Sequence, residues 1–166
     1  MYQRIKATEY FPFSQKKILI IDDESFNCQA MLGMISVLKL PGISERVHLA
    51  YSGKEAIELV EKSIDDAKEE CDYAVIFTDC SMPFMDGYEC CRSILKLLDE
   101  NNITEKPKIL AVTGHVESEY QRKALLSGMD GLFSKPIKID QLAMVLLEQG
   151  FNIRLPTFLE TEFERY

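Results

Sequence analysis

Short runs of apolar residues alternate along the chain with stretches of helical spacing, and this alternation limits the fold more than any other property. Residues 17–21, 46–50, 73–77, 108–112 and 131–134 read as strands. Residues 25–40, 53–64, 86–98, 117–127 and 139–149 read as helices, the first stopped by Pro41-Gly42 and the fourth by Gly128. Strands that are apolar throughout must be covered on both faces, which a parallel sheet between helices achieves. Right-handed crossovers then give an α/β chain in three doubly wound layers.

The apolar runs end in reactive groups. Asp22 and Asp23 follow the first, Asp79 the third, Thr113 the fourth and Lys135 the fifth. In a parallel sheet all of these emerge at the carboxyl edge, where open α/β sheets bind ligands. Asp22 or Asp23 could cap the first helix and Thr113 the fourth. Helix caps do not explain why all five reactive groups gather at one edge. Three carboxylates at one spot repel unless a cation sits among them. Hard oxygen donors suit Mg²⁺, with Mn²⁺ as an alternative. A divalent ion, the Lys135 ammonium and the Thr113 hydroxyl around Asp79 would form a receptor for a tetrahedral dianion, with Asp79 as nucleophile towards phosphorus.

Composition narrows the class. With 166 residues, the chain holds one domain: a flank at 1–15, a domain at 16–149 and a tail at 150–166 too short for an output domain. Its 27 acidic against 19 basic side chains give −8, which disfavours direct contact with nucleic acid or an anionic membrane. Five cysteines without C-x-x-C spacing fit a reducing compartment. No apolar run approaches the roughly 20 residues a bilayer needs, so a cytoplasmic chain without membrane insertion is expected. The acidic segment 61–72 reads as a solvated helix end and loop.

The blocks ILIIDDE (18–24), TDCSMPFMDG (78–87), AVTG (111–114) and FSKPI (133–137) resemble the signature blocks of response-regulator receiver domains in order, spacing and strand context. GMDGLFSKPI (128–137) is similar to the terminal receivers of hybrid histidine kinases. The resemblance implies a (βα)5 flavodoxin-like fold with strand order 2-1-3-4-5. It implies that Asp79 is the phosphoacceptor and that Asp23, Asp79 and the Ser81 carbonyl hold Mg²⁺, with Asp22 acting through a water. Thr113 would bond the phosphoryl group, Lys135 would pair with its oxygens, and the Lys135–Pro136 peptide would be cis. The partner would be a histidine kinase or a histidine phosphotransfer protein. Such a receiver phosphorylates and dephosphorylates itself and is not an enzyme towards outside substrates. The family's switch uses an aromatic three residues before the Lys. Here that position is Leu132, and Phe133 faces the other side of its strand.

Two other functions compete. One is a degenerate receiver that serves only as an interaction module; the intact Asp, Thr and Lys set argues against it. The other is a metal phosphohydrolase, which ranks last because Ser81 stands where a D-x-D motif needs its second Asp. Cys80 reads as a structural buried thiol. His115 either borders the phosphoryl site or is a plain loop histidine. In the first helix Asn27, Met31, Met34, Ile35 and Leu38 share a face assigned to the sheet. Phe26, Ala30, Gly33 and Val37 form a second stripe, either part of a broad buried face or a docking strip for a partner helix.

Overall fold

Along Lys17–Ile21 (β1) every second side chain goes to the same face, so its apolar residues divide between two cores. Leu19 and Ile21 join one cluster, and Ile18 and Ile20 the other. Each such side chain, fully buried, contributes about 1.5–3 kcal/mol. A computed structural model describes residues 13–65, 69–157 and 159. The remaining elements are α1 (Ser25–Val37), α2 (Ile43–Arg46), β2 (Val47–Ala50), α3 (Gly53–Lys62), β3 (Ile64–Asp65), β4 (Glu70–Cys71), β5 (Tyr73–Thr78), α4 (Gly87–Glu100), β6 (Lys108–Thr113), α5 (Ser118–Leu126), β7 (Gly131–Ser134) and α6 (Ile139–Glu148).

The main sheet has the order β2-β1-β5-β6-β7, with every pairing parallel. Counting its strands alone, this is the expected 2-1-3-4-5. The core on one face takes Ala56 and Val60 from α3, Ile94 and Leu98 from α4 and Ala124 from α5. The opposite core takes Cys28, Met31 and Ile35 from α1 and Leu142 and Leu146 from α6. Both faces of the sheet are therefore dry, which is why its strands read as unbroken apolar runs.

Four local readings change. The first helix stops at Val37 rather than at 40, and Lys39 turns the chain at a positive φ of 52°. A short helix, α2, precedes β2. The acidic segment 61–72 is not only loop: Ile64 and Asp65 pair antiparallel with Cys71 and Glu70. This ribbon buries Cys71, and the neighbouring Asp72 bonds Lys17 Nζ at 2.8 Å. The sheet-facing stripe of α1 is Cys28, Met31, Ile35 and Leu38, whereas Asn27 and Met34 lie half-buried beside it. Of the expected flank and tail, 1–12, 158 and 160–166 lie outside the described residues. Within the rest, Phe151 and Leu159 are buried, and the Arg154 amide donates to the Leu38 carbonyl at 2.8 Å. Among the described residues no helix is long and apolar enough to cross a membrane.

Candidate functional site

Backbone pairing continues past the strand ends and carries the reactive residues into place. The Asp79 amide donates to the Ile21 carbonyl at 2.8 Å, the Asp22 amide to Ala50 at 3.1 Å and the Lys135 amide to Thr113 at 2.8 Å. Asp22, Asp79, Thr113 and Lys135 therefore stand together at the carboxyl edge, positioned by rigid sheet rather than by loop.

Carboxylate oxygens of Asp22, Asp23 and Asp79 lie within 4.8 Å of one another. Asp22 and Asp79 are 4% and 6% exposed, while Asp23 is open to solvent. The Lys135 ammonium bridges the buried pair, 2.7 Å from Asp22 Oδ2 and 3.0 Å from Asp79 Oδ2. Burial alone would lower its pKa, but hydrogen bonds to Asp22 and Asp79 outweigh that and hold it above its usual value. Asp22 is the most firmly held of the three. It accepts from Asn27 Nδ2 at 3.1 Å on both oxygens and from the Glu24 amide at 3.0 Å. Three formal negative charges against one positive leave two in excess, and the donors are all hard oxygens. That set fits a divalent hard cation.

Thr113 is buried, and its Oγ1 accepts from the His115 amide at 3.2 Å. An open cavity of about 310 Å³ lies beside the cluster, with Asp22, Asp79 and Lys135 on its polar side and Met31, Phe77 and Ile137 on its apolar side. The Lys135–Pro136 peptide is cis, as the resemblance implies. Ser81 is exposed on the loop that follows Asp79. Gly87, the first residue of α4, closes that loop. A Cβ on it would lie 2.0 Å from the Asp79 carbonyl oxygen, so only glycine admits this approach.

The second stripe of α1 is free of the core: Phe26 is 78% exposed, and Ala30, Gly33 and Val37 are also exposed. The broad-buried-face alternative is thereby excluded. Cys80 is buried, and burial raises its pKa, consistent with an inert thiol. His115 is exposed and stacks on Tyr120 at 4.8 Å between centroids. Leu132 and Phe133 do face opposite cores. Sequence reasoning missed three residues. Helical spacing puts Asn27 on the apolar face, and Phe84 and Gly87 enter only as members of the block 78–87, with no role of their own. Phe84 projects fully into solvent from a backbone with φ of 65°. Its one visible signal was a large aromatic among turn-forming residues.

The model of the response regulator receiver domain family matches residues 18–147. Histidine kinase CKI1 of Arabidopsis thaliana is 37% identical over 139 residues, which cover 80% of this chain and 12% of that protein. The chain thus spans a small part of the curated relative it matches. The crystal structure of the CKI1 receiver domain complexed with Mg²⁺ and BeF3⁻ superimposes with a TM-score of 0.67 at 34% identity, covering 81% of this chain and 89% of that one. The receiver domain of a sensor histidine kinase from Pseudomonas aeruginosa, with a magnesium ion coordinated in its active-site cleft, gives 0.62 at 26% identity, covering 81% and 96%. Fold, edge chemistry and signature blocks agree, and the chain belongs to the response regulator receiver domain family of two-component and phosphorelay systems.

Proposed function

We propose that this receiver accepts a phosphoryl group from a phosphohistidine onto Asp79 in a Mg²⁺-dependent reaction and later loses it to water. The observation that carries this reading is the Lys135 ammonium shared by Asp22 and Asp79 beside an excess of two negative charges. In the transfer, an Asp79 carboxylate oxygen forms a bond to phosphorus while the phosphorus–nitrogen bond breaks. The imidazole leaves with the electron pair, and the product is an acyl phosphate. Loss is the attack of water on phosphorus, which releases phosphate and restores the carboxylate.

Asp23, Asp79 and the Ser81 carbonyl would hold Mg²⁺ (or Mn²⁺), with Asp22 acting through a water. Bound there, the ion supplies positive charge that offsets carboxylate repulsion and the charge of the incoming phosphoryl group. Lys135 already lies against Asp79 and pairs with the phosphoryl oxygens as they arrive. Thr113, whose Oγ1 accepts from the His115 amide, keeps its O–H to donate to the same group. Burial of Asp22 and Asp79 strengthens these charge interactions by excluding water.

The donor is a histidine kinase or a histidine phosphotransfer protein. Its helix would lie along Phe26, Ala30, Gly33 and Val37, where small residues in the middle allow close approach. Nothing in the site favours an interaction module without phosphorylation, since the charged set is complete and adjacent. The chain serves as the receiver segment of a larger hybrid kinase or as a separate relay component in the cytoplasm. The experiment mixes the chain with a purified histidine phosphotransfer protein radiolabelled on its histidine, with Mg²⁺ or with EDTA. Label should move to the chain only with Mg²⁺, and movement at equal rate in EDTA contradicts the reading.

A further inference from the structure

Phe84 carries two features that the fold does not need. Its ring is fully exposed, and its backbone sits at φ of 65°, where bulky residues are rare. The Met85 amide donates to the Pro83 carbonyl at 2.8 Å, so Phe84 is the centre of a three-residue turn, a strained type. The turn is braced on both sides. Pro83 fixes the dihedral before it, and Met85 packs over Gly53, where an added Cβ would meet its Sδ at 2.7 Å. Beyond it, Gly87 seats against the Asp79 carbonyl and donates to the Cys80 carbonyl at 3.1 Å. The backbone that carries the ring is therefore preset, so only the two side-chain dihedrals of Phe84 remain to be ordered when the ring is covered.

Its place in the fold says what covers it. Phe84 lies on the connection from β5 to α4, five residues after Asp79. Phe26 lies in the first turn of α1, which follows the adjacent strand β1. The helices α1 and α4 cover opposite faces of the sheet. Phe26 and Phe84 thus stand on either side of the carboxyl edge that holds Asp22, Asp23 and Asp79. Asp79 is only 6% exposed, so a phosphorus atom can reach its oxygen only from that edge. A protein that brings phosphohistidine to Asp79 must lie down on the rim, and the rim is α1 on one side and the Phe84 turn on the other. A small donor touches neither.

We infer that Phe84 is a second anchor for the phosphodonor protein, across Asp79 from the α1 stripe, and that it takes an apolar patch beside the donor's phosphohistidine. This rests on the protein-donor reading above and deepens it. Two anchors fix the orientation of the donor as well as its affinity, which makes Phe84 a residue of partner specificity. Buried aromatic anchors of this kind commonly dominate an interface.

The test compares the parent with Phe84→Asn and Phe84→Leu. Asparagine tolerates the left-handed backbone, so Phe84→Asn should melt no lower than the parent. Its labelling by acetyl phosphate with Mg²⁺ should stay within about twofold, while kcat/KM for transfer from a radiolabelled histidine phosphotransfer protein falls by about tenfold or more. Phe84→Leu keeps apolar bulk and should stay within about threefold of the parent with both donors. Unchanged protein-to-protein transfer in Phe84→Asn overturns the inference. So does an equal fall with both donors, which would place the effect in the site rather than on the partner. If the parent sediments as a dimer that Phe84→Asn dissolves, the ring is a contact between copies and the inference is wrong. If the parent labels with acetyl phosphate but not from the protein, the protein-donor reading fails, and this inference with it.

Discussion

Gly87→Ala tests whether α4 really presses on the phosphoacceptor backbone. The added methyl would lie 2.0 Å from the Asp79 carbonyl oxygen, 2.9 Å from its carbon and 3.0 Å from Cys80 Cα. Ordinary contact needs about 3.4 Å or more, so backbone must move by about 1.4 Å, and neither partner is a flexible side-chain end. Overpacking of this kind costs about 1–3 kcal/mol, partly offset by the roughly 0.4–1 kcal/mol that alanine gains by restricting the unfolded chain. A net loss of about 1–2 kcal/mol should lower Tm by about 2–8 °C in a chain of this size. The same movement disturbs the contact between Asp79 and the Lys135 ammonium, now 3.0 Å, so labelling by acetyl phosphate should slow with it. Gly33→Ala is the matched control, because a Cβ there meets nothing within 4 Å on an exposed helix face. It should raise stability by about 0.5–1 kcal/mol. Urea denaturation of the three proteins measures both effects. If Gly87→Ala keeps the parent's stability to within about 0.5 kcal/mol and labels at the parent's rate, the argument from close approach is wrong.

Lys135→Met leaves two buried carboxylates without their cation. Breaking a buried pair costs about 3–5 kcal/mol, which we discount to about 2–3 because the Lys135 side chain is 26% exposed. Urea melts without divalent ions should show that loss, and added Mg²⁺ should recover part of it; no loss contradicts the geometry. Because the folded-state pKa of Lys135 is raised, this stabilisation is present at neutral pH and should fade only as pH rises past about 10.5. His48, whose Nδ1 lies 2.6 Å from the Tyr73 hydroxyl, has a pKa lowered first by burial and then by Lys17. Its stabilisation is present above about pH 6.5 and lost as pH falls, so the parent should lose more stability than His48→Gln between pH 7 and pH 5. Equal pH slopes would remove His48 as a source. All five cysteines are buried, and burial pushes the Cys28 thiol up to about 11 and the Cys90 and Cys91 thiols up to about 12. A thiol reagent at pH 8 should label none in the native chain and all five after unfolding, and fast native labelling would contradict this packing.

The sheet and the charged edge were legible for the same physical reason. Strands buried on both faces must be apolar throughout, so the polar residues that follow within one or two positions of a run mark the carboxyl edge. Asp22, Asp79, Thr113 and Lys135 could be found in this way before any coordinates. The direction of α1 was less legible because that helix is apolar on nearly all sides, which leaves its periodicity almost without direction. Hence Asn27 was placed with the core stripe, although its amide actually locks the Asp22 carboxylate. The β3–β4 ribbon escaped notice because two-residue strands carry no period and Glu70 and Asp65 read as solvated charge. Gly87 and Phe84 depend on backbone approach and backbone dihedral, which one sequence does not display. The burial of Phe151 depends on the route of the chain after α6, which hydropathy alone does not set.

The central claim is that Asp79 carries the phosphoryl group. Intact-mass measurement after incubation with acetyl phosphate tests it most directly, on the parent and on Asp79→Asn, each with Mg²⁺ and with EDTA. The account predicts one phosphoryl group on the parent in Mg²⁺, removable by hydroxylamine as an acyl phosphate, and none in EDTA or on Asp79→Asn. Undiminished labelling of Asp79→Asn would contradict it.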